Sequence, residues 1–166
     1  FFNQKSDTKC INLRLSNGYG RPSLRVNDCW GLVINDLCKS AIEKHKICLL
    51  SDGSPQRDFI HLSDICQALS VLLSTSVDQQ VNTNYHLASG TTYTILELAQ
   101  IVGQCYLEKF DRVIPIILPD GHTPSKPKYT SDVQKFQYSV NRLKALGFLP
   151  KVTLHQGIAE VFDYLT

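Results

Sequence analysis

Lys9-Cys10-Ile11-Asn12-Leu13-Arg14-Leu15-Ser16-Asn17-Gly18-Tyr19-Gly20-Arg21-Pro22 reads as an extended segment running into a glycine-rich loop. Polar and apolar residues alternate over 9–15, the period of a strand whose side chains point to two faces in turn. The cluster at 16–22 then breaks that pattern with turn-forming residues. Further on, Leu32, Val33, Leu37 and Ile42 recur at near-helical spacing and predict a helix over about 28–44. Residues 46–50 predict a short strand, closed by the turn residues Asp52-Gly53-Ser54-Pro55, and 59–62 a second brief extended piece.

The second half continues the alternation. Ser63 stands where it can cap a helix on which Ile65, Leu69, Leu72 and Leu73 share a face. A polar break at 78–83 leads to a strand over 85–88. Thr94 with Glu97 three residues later forms a capping box, which opens a helix to about residue 109. Residues 112–118 are β-rich, and Pro115 favours an edge position there. The proline-containing stretch 119–131 predicts a loop. Residues 139–146 predict a short helix stopped by Gly147, and Thr153 with Gln156 makes a second capping box for a final helix to about residue 164. Strands and helices alternate without internal repeats. The fold class is α/β, or α+β if the short strands form a separate small sheet.

Bulk properties narrow the function classes. The chain of 166 residues suits one domain with a hydrophobic core, and 43% apolar with 19% charged residues is ordinary for a globular protein. A net charge of +2 is too small for an electrostatic grip on nucleic acid or an anionic membrane, and no aliphatic run approaches the length of a bilayer span. The first residues show no signal-peptide pattern. The chain begins with Phe and contains no Met, so it is expected to be a processed or excised piece of something longer. Six cysteines, all nine or more positions apart, form no Cys-x-x-Cys pair. With Cys48 and Cys66 among apolar neighbours, buried free thiols in a reducing cytoplasm are expected, and no metal site.

Complete catalytic signatures are absent from the chain: there is no G-x-G-x-x-G, no P-loop and no G-x-S-x-G. None of the seven tyrosines is followed four residues later by a lysine. Two clusters remain. In Arg57-Asp58-Phe59-Ile60-His61-Leu62-Ser63-Asp64, the Arg57 guanidinium offers a planar fork suited to phosphate. The plain alternative is an Arg57–Asp58 or Arg57–Asp64 pair that ties down the turn. In Ser16-Asn17-Gly18, Asn17 ends a strand, where open α/β sheets bind ligands, although an Asn beside Gly more commonly serves a turn.

Arg14-x-x-Asn17-x-Tyr19-Gly20-x-Pro22 followed by Arg57-Asp58-Phe59-Ile60-His61-x-x-Asp64 resembles consecutive motifs of the extended short-chain dehydrogenase/reductase family. That family includes UDP-glucose 4-epimerases and nucleotide-sugar dehydratases. The resemblance continues through Tyr85-His86-Leu87-Ala88-Ser89-Gly90, similar to the family's Y-N-x-G-x-G strand with Ala88 in place of its first glycine. It ends at 139–150, similar to the family's K-x-x-x-x-L-G-[WF]-x-P segment.

The resemblance implies a fold and a division of labour. Residues 1–26 would be the end of a Rossmann-type dinucleotide-binding domain, its last strand and loop. Residues 27–166 would be the small mixed α/β substrate-binding domain. Asn17 and Arg57 would contact a nucleotide diphosphate sugar, most often a UDP-sugar. Ser16, Asn17 and Gly18 would lie near NAD or NADP. The catalytic Tyr/Lys pair and the glycine-rich loop would precede this segment, so the isolated piece would be inactive. The longer protein would be a cytoplasmic homodimer, or a non-catalytic relative of the same fold. The family often places an Arg-x-Gly-Asp segment where this chain has 122–129, which contains neither Arg nor Asp; Lys126 and Lys128 would substitute there as point charges.

Overall fold

The computed structural model describes residues 10–24, 28–76, 84–124 and 135–166. Among the described residues twelve elements follow one another: β1 (Asn12–Leu15), β2 (Asn17–Tyr19), α1 (Val33–Lys44), β3 (Ile47–Cys48), β4 (Gln56–His61), α2 (Leu62–Ser74), β5 (Asn84–Leu87), β6 (Thr92–Thr94), α3 (Ile95–Phe110), β7 (Ile116–Ile117), α4 (Asn141–Ala145) and α5 (Leu154–Leu165). The architecture is mixed α/β, as the alternation predicts.

Three small sheets carry the strands of the described residues. β1 pairs with β5 in parallel, Arg14 lying opposite His86. β2 pairs in parallel with β4, Asn17 opposite Phe59, and β4 pairs antiparallel with β6, Arg57 opposite Tyr93. β3 and β7 form a parallel pair. Ser16 is the switch point: its N–H still donates to Leu87 O at 3.0 Å, and one residue later the chain has joined the other sheet.

Strand β4 separates two cores, because its successive side chains point to opposite faces. Phe59 belongs to a core built by α1, α3 and α5, with Ile34, Val102 and Phe162 fully buried. Ile60 belongs to a second core with Ala68 and Leu72 of α2, Tyr85 and Leu87 of β5, and Leu143 and Phe148. Phe59 is thus a core residue.

Local signals explain most boundaries. Both capping boxes form with both reciprocal bonds, Thr94 with Glu97 and Thr153 with Gln156. Lys135 reaches the same Glu97 carboxylate at 2.7 Å. Burial alone would raise that carboxyl's pKa, but the Lys135 hydrogen bond and charge and the Thr94 donors outweigh it and hold it below its ordinary range. Gly147 sits at φ +88, donating to Lys144 O while Phe148 N–H donates to Leu143 O. That is the Schellman arrangement, and Phe148 and Leu143 both bury in the same core.

Four expectations are corrected. Helix α1 begins at Val33, not near 28, because Asp28 accepts from Trp30 N–H and Leu32 N–H bonds to Cys29 O, closing a turn first. Helix α2 is capped by His61, whose Nδ1 accepts from Ser63 N–H at 3.3 Å; Ser63 lies inside the helix. The buried stripe of α2 is Asp64, Ala68 and Leu72, while Leu69 and Leu73 are exposed. Cys48 and Cys66 are exposed, and the buried thiols are Cys38 and Cys105.

Burial pushes the Cys105 thiol up to about 11 and the Cys38 thiol higher still. Native iodoacetamide treatment followed by mass spectrometry is therefore expected to modify Cys48 and Cys66 and to spare Cys38 and Cys105 until denaturant is added. Early labelling of Cys38 would contradict this packing.

Candidate functional site

The two sequence clusters meet where β2 runs beside β4. Most of their polar residues point into the protein and are consumed there. Asp58 is fully buried; its Oδ1 accepts from Ser89 N–H at 2.9 Å, and its Oδ2 accepts from Gly90 N–H at 2.8 Å and from the Ser89 hydroxyl at 3.0 Å. Asp64 accepts from Lys151 and Val152 N–H at 3.0 and 3.1 Å, fixing the approach to α5. Both carboxylates are satisfied by backbone donors, so neither pairs with Arg57.

Tyr19, Gly20 and His61 form a packed knot against α5. The Tyr19 and His61 rings meet edge-on with centroids 5.3 Å apart. His61 Nδ1 accepts from Ser63 N–H at 3.3 Å, and its Nε2 lies 3.4 Å from the Glu160 carboxylate. Burial, and then the charges of Asp64 and Glu160, push the Tyr19 phenol far above its ordinary range. It stays protonated at neutral pH and donates to Thr153 O, which is a structural role. Gly20 adopts φ +143, where a Cβ would also stand 3.0 Å from His61 Nε2. Asn35 clamps it, donating to Gly20 O at 2.8 Å.

Asn17 and Arg57 remain at the surface, as do Leu62 and Ser63 at the start of α2. Asn17 is exposed, and its Nδ2 donates to Asp58 O at 2.9 Å, which holds the amide at the end of β2. Arg57 is exposed; its Nη1 donates to its neighbour's carbonyl, Gln56 O, at 2.7 Å, and it has no carboxylate partner among the described residues. The expected alternative of an Arg57–Asp58 or Arg57–Asp64 pair is therefore not what the structure shows. Half-buried Tyr93, opposite Arg57 on β6, is a neighbour that the sequence reading missed. Its alternation in Thr92-Tyr93-Thr94, just ahead of the capping box, was the available signal.

Of the remaining expected residues, Ser16 is half-buried, and its hydroxyl is buried without a hydrogen-bond partner among the described residues. Gly18 lies under α2, where a Cβ would come within 3.4 Å of Ile65. Lys126 and Lys128 fall outside the described residues. Among the described residues, no three His, Cys, Asp or Glu side chains stand together in a way that could hold a metal ion, and no helix is long and apolar enough to cross a membrane.

Residues 2–88, which contain both clusters, match the model of the NAD dependent epimerase/dehydratase family. The chain belongs to that family. UDP-glucuronic acid decarboxylase 1 of Arabidopsis thaliana is 27% identical over 146 residues, covering 87% of this chain and 29% of the relative. The UDP-glucose 4-epimerase of Thermotoga maritima, solved with UDP-glucose, superposes with a TM-score of 0.70 at 21% identity, over 98% of this chain and 47% of its own. The Thermus thermophilus UDP-glucose 4-epimerase in complex with NAD gives 0.69 at 20% identity, over 98% and 48%. At such identities the structural likeness is one of fold. The chain spans about a third of the length of the curated family relatives it matches and about half that of the solved structures.

Proposed function

We propose that this chain is the C-terminal, substrate-binding portion of an NAD(P)-dependent nucleotide-sugar epimerase or dehydratase, with Asn17 and Arg57 holding the nucleotide diphosphate of a UDP-sugar. The observation that carries the reading is the fate of the motif side chains. Tyr19, Asp58, His61 and Asp64 are spent on internal contacts, and Arg57 alone of its cluster's charged groups faces outward without an acid. A guanidinium held by one bond to a carbonyl keeps its other donors for a bidentate anion. Asn17 stands on the neighbouring strand, tied to the residue beside Arg57.

In this reading 1–26 ends the dinucleotide-binding domain and 27–166 forms the substrate domain, which reaches back to it through the β1–β5 pair. NAD or NADP, when bound, would take up and return hydride. The Ser16 hydroxyl is sealed by the chain's own atoms, so Asn17 and the Gly18 backbone would make this segment's contribution. Lys126 and Lys128 remain proposed as auxiliary phosphate contacts. The longer protein would be a cytoplasmic homodimer. The chain holds no Tyr-x-x-x-Lys pair, so by itself it is expected to bind and not to turn over.

Calorimetric titration with UDP-glucose, or UDP-glucuronic acid if the first does not bind, tests the assignment. Arg57→Ala is expected to weaken binding by about 1.5–3 kcal/mol, the worth of a charged hydrogen bond, or roughly 10- to 150-fold. Equal affinity in the variant would remove Arg57 from the site. The stretch 122–129, without Arg or Asp, favours one second reading, a binding relative that lost the reaction. A parent protein with Tyr-x-x-x-Lys and a glycine-rich loop upstream would rule that second reading out.

A further inference from the structure

The parallel pair β1–β5 has two unlike faces. Leu13, Tyr85 and Leu87 turn into the second core. Arg14 and His86, paired directly across the ladder, occupy the alternate positions and turn the other way. Parallel sheets are ordinarily covered by apolar layers on both sides. Here the second face presents a guanidinium and an imidazole.

A second guanidinium joins them from α4. Arg142 Nη1 donates to Asn84 O at 2.8 Å, which anchors the head group at the rim of β5. The His86 ring is held edge-on by Tyr138, with centroids 5.4 Å apart. Arg14, Asn84, His86, Ser139 and Arg142 together line a groove of about 370 Å³, a size that accommodates a small ligand. No carboxylate lines it, and among the described residues the Arg14 side chain makes no hydrogen bond or ion pair. Two like charges facing one groove repel each other, and an anion bridging them removes that repulsion while filling their free N–H donors.

We propose that this groove binds the phosphate group of a small anionic ligand, as a site distinct from the one at Asn17 and Arg57, with which it shares no lining residue. Guanidinium forks suit the tetrahedral oxygens of phosphate, and the Ser139 hydroxyl supplies a further polar contact.

The test uses pyrophosphate as the probe and Arg57→Gln as the background, which silences the diphosphate contact proposed above. In calorimetric titrations at low salt the Arg57→Gln chain is expected to bind pyrophosphate still, more weakly as salt rises. Adding Arg14→Gln should lower that affinity at least about tenfold, and the bound state should shift the His86 ring protons in NMR spectra. Loss of pyrophosphate binding in Arg57→Gln alone, or indifference to Arg14→Gln, overturns the proposal and leaves these guanidiniums to a carboxylate of another protein segment. Either of those results leaves the role assigned to Arg57 standing, because UDP-sugar affinity measures that role separately.

Discussion

Asp58→Ala is expected to destabilise the protein by about 3 kcal/mol. The carboxylate is fully buried and is the acceptor for Ser89 N–H, Gly90 N–H and the Ser89 hydroxyl. Its removal strands two backbone donors in the interior, at about 1–3 kcal/mol each, partly relieved where water enters the vacated space. Asp58→Asn is no rescue, since its NH2 would face one of those donors. For a chain of this length the melting temperature should fall by roughly 6–12 °C. Chemical denaturation read by far-UV circular dichroism checks it; a loss below about 1 kcal/mol would show that the β5–β6 turn holds itself. Gly90, at φ +80, has a conformation that depends on this turn.

Gly157→Ala and Gly103→Ala should move stability in opposite directions, although both glycines sit inside helices. At Gly103 a Cβ meets nothing within 4 Å, so alanine there is expected to add about 0.5–1 kcal/mol through helix propensity. At Gly157 a Cβ would lie 2.6 Å from both Cε2 and Oη of Tyr19 and 2.9 Å from His61 Cδ2. Both rings are buried and have little room to retreat. Overpacking is expected to outweigh the helical gain and to cost about 2 kcal/mol net. The displaced Tyr19 ring sits two residues from Asn17 on the same short strand, so under the function proposed above nucleotide-sugar affinity should fall with stability. A stabilising Gly157→Ala would mean that α5 can move away from β2.

The features legible in the sequence are those whose partners are close along the chain. The capping boxes at Thr94 and Thr153 and the glycine stop at Gly147 connect residues three to five apart, and all three form as expected. The cap of α2 was misassigned because an imidazole is an uncommon cap, and Ser63 offered the commoner chemistry. On α2 the buried stripe contains Asp64, so a hydrophobic count shifted the face by one position. Cys48 and Cys66 have apolar sequence neighbours yet face solvent, because a neighbour in a strand or helix occupies a different face.

The division of the motif between inward and outward residues was the part least accessible to the sequence. Asp58 finds its donors 31 positions away and Asp64 finds them 87 positions away. No spacing within Arg57-Asp58-Phe59-Ile60-His61-Leu62-Ser63-Asp64 says which side chains are consumed. Only the register of β4 against β2 and β6, with α5 packed behind, leaves Arg57 outside.

That division sets how loss-of-function variants in this segment are to be sorted. In the reading proposed above, a selection for loss of ligand binding would recover variants of Asp58, Asp64, Tyr19 and Arg57 together. Cellular abundance separates them. The aspartate and tyrosine variants would be depleted by turnover of unfolded chains, whereas an Arg57 variant would accumulate to normal levels and fail only when challenged with ligand.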